Sequence, residues 1–96
     1  MKKIMTKAEI LQKAINTYGQ TMQEDICIKE MSELAKAIIK NRRNEDMAAS
    51  SRINHIREGI ADVQIMLDQM RIIYGDTSKI EQYKLDRLAK RLECEV

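Results

Sequence analysis

Ninety-six residues suffice for one domain with a small core, and they include no proline, three glycines, no tryptophan, no phenylalanine and only three tyrosines. Seventeen Lys and Arg against fifteen Asp and Glu leave a net charge of +2. That excess is too small for a binder of nucleic-acid polymers, and so few aromatics exclude a base-stacking surface.

The dominant residues, Ala, Leu, Ile, Met, Glu, Lys, Gln and Arg, are mostly good helix formers, so the expected class is all-α, in a single domain over residues 1–96. The "MKKIM" start is not followed by the apolar region of a signal peptide, and no apolar run reaches membrane-span length. Cys27 and Cys94 lack CxxC spacing. A cytoplasmic location, no membrane association and two free thiols are expected.

"TKAE" at 6–9 has the capping-box form and opens a first helix over about 7–18, stopped by Gly19. A second begins near Gln20–Gln23 and runs to about Lys40. The polar "KNRRNEDMAAS" reads as a connection. A third helix, capped by Ser50 or Ser51, ends at Gly75. "SKIE" at 78–81 is a second capping box and opens a fourth helix to about Leu92.

In the second helix, Ile28, Met31, Ala35, Ile38 and Ile39 give a broad apolar face, expected to be the core. Asp25, Lys29, Ser32, Lys36 and Lys40 give the solvent face. Glu30 falls instead beside Gln23, Ile26, Cys27, Leu34 and Ala37, with Glu33 at the edge. The third helix carries Ile53, Ile56, Ile60, Val63, Leu67, Met70 and Tyr74 at steps of three and four. Arg57, Gln64, Asp68 and Arg71 form a narrow polar arc. Ile65, Met66, Gln69 and Ile73 make a second apolar side, with Asp62 among them. A helix apolar on two sides needs a second neighbour, and in a chain this short another subunit is expected to supply it.

Two acidic pairs therefore lie in apolar settings: Glu30 with Glu33, and Glu58 with Asp62. Buried unpaired carboxylates are costly, and a cation relieves the cost. Oxygen donors without His or Cys suit Mg²⁺, with Mn²⁺ as a second choice. Ordinary solvated pairs such as Lys29–Glu33 and Glu33–Lys36 are the competing explanation. His55, a lone histidine near a helix start, is given no chemical role.

"IKEMSELAKAI" followed by "EGIADVQIMLDQMRIIYG" resembles the MazG-like, all-α nucleoside triphosphate pyrophosphohydrolases, whose motif is ExxE, a spacer, then ExxD. Here ExxE is Glu30 to Glu33, and the "ADV" block supplies Asp62. "NTYGQTMQ" and "YKLDRLAKR" resemble short phage and bacterial members, and the likeness spans about residues 14–92. The glutamate of ExxD falls on Gly59. Glu58, one residue earlier, lies about 40° from Asp62 on the opposite flank.

The resemblance implies a four-helix MazG-like bundle completed by self-association as a homodimer or homotetramer. It also implies Mg²⁺-dependent hydrolysis of a nucleoside triphosphate to the monophosphate and pyrophosphate. Glu30, Glu33, Glu58 and Asp62 would be the metal ligands, with Glu33 as candidate catalytic base. Lys84, Arg87 and Arg91, on one face of the fourth helix, and Gln23, on the Glu30 side, are the candidate substrate contacts. Arg42 and Arg43 are a further basic option. Two other readings stay open: a weak or inactive nucleotide-binding relative, and a helical dimerising interaction module.

Overall fold

The computed structural model describes residues 4–43 and 48–94. Among them are four helices and no strand: α1 (Lys7–Tyr18), α2 (Gln20–Arg43), α3 (Ala49–Tyr74) and α4 (Ser78–Cys94). Residues 44–47 of the expected connection lie outside the described residues. No helix among the described residues is long and apolar enough to cross a membrane.

The expected capping box is present at α1. The Glu9 amide donates to the Thr6 hydroxyl at 3.1 Å, and the Thr6 amide donates to the Glu9 carboxylate at 3.3 Å. Gly19 (φ 89°) and Gly75 (φ 115°) end α1 and α3 in backbone conformations that only glycine adopts without strain.

Two caps differ from expectation. α3 starts at Ala49, ahead of both serines, and its N-cap Ala48 makes no side-chain cap bond. At α4 the expected Ser78–Glu81 bond is absent, and Glu81 pairs with the residue one earlier. The Thr77 hydroxyl donates to Glu81 at 2.5 Å, while Ser78 turns away to donate to Asp76 at 2.8 Å. Thr77 is drawn into this role because Arg71 Nε also donates to it, at 3.0 Å.

α2 and α3 form a long antiparallel pair whose register is marked at three levels. Gln23 donates to Gln69 at 2.6 Å, Gly59 lies against Leu34, and Arg52 donates to Asn41 at 3.2 Å. α1 packs across both helices and buries Leu11. α4 packs along none of the other three; among the described residues its ties to α3 are the Arg71 bonds to Thr77 and Glu81.

The core is thin. Leu11, Cys27 and Met66 are the buried apolar residues among those described, with the amides of Gln23 and Gln69 buried between them. Gln23 Oε1 has no hydrogen-bond partner.

The inner face of α2 is not the expected one, and that of α3 draws on both of its expected apolar sides. In α2, Ile28, Met31, Ala35, Ile38 and Ile39 are all exposed, and the seam is made by Gln23, Cys27, Glu30, Leu34, Ala37 and Asn41. In α3, Ile56, Gly59, Val63, Met66, Gln69, Met70 and Ile73 line the seam, while Ile53, Ile60, Leu67 and Tyr74 of the expected stripe are exposed. Apolar periodicity finds a face but does not say which of two apolar faces turns inward. Here the smallest residue decides, because Gly59 lets the α2 backbone come close.

Candidate functional site

Glu30 and Glu33 sit one turn apart on α2, and Glu58 and Asp62 one turn apart on α3. Antiparallel packing at the Leu34–Gly59 contact turns both pairs into the same open cleft, of about 210 Å³. A β-carbon at Gly59 would stand 3.1 Å from Leu34 Cδ1 and 3.5 Å from Leu34 Cα. The glycine therefore has a packing role. It draws the helices together where the two acidic pairs face each other.

The carboxylates are wetter than their apolar setting implied. Glu30 is half-buried, and Glu33, Glu58 and Asp62 are exposed. The apolar surface around them is itself uncovered in the single chain, so these side chains keep their water. Glu33 pairs loosely with Lys36, at 3.6 Å. Glu30, Glu58 and Asp62 have no hydrogen bond or ion pair among the described residues.

No group of three or more His, Cys, Asp or Glu side chains among the described residues stands together as a ready-made metal cage. The donor set nonetheless fits a hard cation. It is four carboxylates from two facing helices, three of them without a hydrogen bond or ion pair among the described residues.

The remaining expected contacts lie elsewhere. Gln23 is in the helix seam, about 10 Å along α2 from Glu30, and its amide is engaged with Gln69. Lys84, Arg87 and Arg91 are exposed on α4, which stands away from the α2–α3 body. Arg87 lies over the Tyr83 ring, 5.7 Å from its centroid. Arg42 and Arg43 end α2 and do not line the cleft.

Three residues without an expected role here do line it: Lys36, Lys40 and His55. The spacing places them on the faces of the acidic residues, but nothing in it says that those faces meet. His55 precedes Glu58 by three residues and Asp62 by seven, which keeps one helix face. Glu33, Lys36 and Lys40 step by three and four.

Both cysteines are free. Burial pushes the Cys27 thiol up from its ordinary value, which keeps it protonated and unreactive.

Comparison with known proteins leaves this geometry to speak for itself: no family model, no curated protein and no solved structure matches the chain.

Proposed function

We propose that the chain is a Mg²⁺-dependent nucleoside triphosphate pyrophosphohydrolase of the MazG-like kind. The observation that carries this reading is the convergence of Glu30, Glu33, Glu58 and Asp62 on one cleft between antiparallel helices. When bound, the metal supplies charge neutralisation at phosphate oxygens and acidifies a water.

Glu30, Glu58 and Asp62 would hold the cation, and Glu33 at the cleft edge would accept the proton of the attacking water. The water oxygen bonds to the α-phosphorus and the bond from that phosphorus to the α–β bridging oxygen breaks. Monophosphate and pyrophosphate leave. Glu33 suits the base role because its present partner, Lys36, is a loose and solvated one.

A second reading, a weak or inactive nucleotide binder, is favoured by one observation. The position of the fourth motif ligand is a glycine used in helix packing.

We further infer a homodimer or homotetramer. The exposed surface is 7958 Å², against about 5,700 Å² expected of a compact monomer of this mass. The radius of gyration is 17.4 Å, against about 12.5 Å for a compact domain of this length. Lys84, Arg87 and Arg91, held away from their own cleft, would reach a substrate only across a contact between chains.

Mg²⁺ or Mn²⁺ at a hundredfold its dissociation constant should stabilise the protein by about 2.7 kcal/mol, read as a rise in Tm. Glu30→Gln with Asp62→Asn should abolish that rise and also pyrophosphate release in a screen of ordinary and damaged nucleotides. A double variant that responds to metal as the parent does would refute the site. A parent that binds metal and nucleotide without turnover would select the second reading.

A further inference from the structure

The cleft is polarised along its length. Glu30 and Asp62 mark the end toward the Gln23–Gln69 pair, while Lys36, Lys40 and His55 mark the end toward the Asn41–Arg52 bond. Glu33 and Glu58 lie between. Glu33 and Lys40 are about 10 Å apart along the α2 axis. Lys40 has no ion-pair partner among the described residues, and Lys36 has only the solvated contact with Glu33. Such a contact is worth little and yields readily to a more highly charged anion.

The cleft, about 210 Å³, falls below the roughly 300–1,000 Å³ of pockets that enclose a drug-sized molecule. Being open on one side, it can hold a chain of phosphates while the rest of a nucleotide extends outside it.

We propose that Lys36, Lys40 and His55 form the phosphate-binding end of this cleft, so that a linear polyphosphate lies along the α2–α3 seam with its terminal phosphates toward Lys40 and His55. This rests on the metal–polyphosphate reading of the same cleft, and it assigns the anion-binding role to α2 and α3 rather than to α4. Two lysines on one wall supply charge, and the imidazole on the other supplies a directional N–H donor.

The probe is inorganic tripolyphosphate, titrated calorimetrically at one fixed, low salt concentration with excess Mg²⁺. Lys36→Gln with Lys40→Gln changes only exposed side chains. It should weaken binding at least about tenfold, and His55→Ala about threefold. The rise in Tm with Mg²⁺ alone should survive the lysine changes. Affinity unchanged in the lysine variant overturns the proposal. So does affinity lost in Lys84→Gln/Arg87→Gln/Arg91→Gln while the α2 lysine variant binds normally. Unchanged binding in His55→Ala removes His55 from the assignment.

A separate arm isolates the basic end from the metal reading. In Glu30→Gln/Asp62→Asn, where two repelling charges are gone, tripolyphosphate should bind without metal, and adding the two lysine changes should remove it. If the parent ignores Mg²⁺ while this arm succeeds, the metal reading fails and the phosphate end stands. If this arm fails while Mg²⁺ binds, the phosphate end is wrong.

Discussion

At the scale of single residues, Gly59 sets the geometry on which the site depends. Glycine inside a helix costs about 1 kcal/mol relative to alanine, but here a β-carbon would press on Leu34 Cδ1 at 3.1 Å. The two effects oppose, so Gly59→Ala should gain about 0.5 kcal/mol or less in urea unfolding. In a Leu34→Ala background the obstruction is gone, and the same change should recover the full propensity gain. Additivity within about 0.3 kcal/mol across the four proteins would mean that Leu34 does not resist the new methyl group. The acidic half of the cleft was legible from sequence, because helical spacing alone puts Glu30 with Glu33 and Glu58 with Asp62. The basic half was not. Lys36 and Lys40 sit on a polar arc that reads as solvated, and only the approach of α3 makes that arc the wall of a cleft.

At the scale of elements, helix existence and the glycine stops were legible, while the choice of inner face was not. α2 turns its most apolar side, Ile28 to Ile39, to the outside. Periodicity carries no information about which neighbour covers which face. The fastening of α1 and α4 to α3 was equally invisible, because it runs through polar groups that periodicity assigns to the solvent. Lys7 reaches Asp68 at 2.7 Å, Arg71 donates to Asp68 at 2.9 Å, and Arg71 also contacts Glu81 at 3.3 Å. The hydrogen bond from Lys7 is the main cause holding the Asp68 carboxyl below its ordinary value; partial burial opposes it, and Gln64 and Arg71 reinforce it. A depressed carboxyl contributes stability that is complete above the unfolded value of about 3.9. That contribution is lost as pH falls through the lower folded value. Asp68→Asn should therefore lower Tm at pH 7 by about 4 °C, and the gap should close progressively below the carboxylate range. A gap that persists unchanged into acid would show that Asp68 acts by packing instead.

At the scale of the whole molecule, the single chain leaves many large apolar side chains in water. The exposed set includes Ile28, Ile38 and Ile39 on α2, Ile60 on α3, and Leu85, Leu88 and Leu92 on α4. Obligate homodimers bury roughly 2,000–5,000 Å² in total, a range that the excess exposed surface of two chains would fill. Sedimentation at low micromolar concentration should show no folded monomer. Ile28→Glu with Ile38→Glu should lower particle mass and helix content together. A folded monomer whose Tm does not depend on concentration would contradict the shared core. The Gln23–Gln69 pair bears on how this sequence can change by descent. Replacing either amide with an apolar residue strands the other in the seam, at about 1–3 kcal/mol. Replacing both with apolar side chains of similar shape removes that cost. Each single replacement on the way between the two solutions is therefore less stable than either end, which couples the two positions energetically.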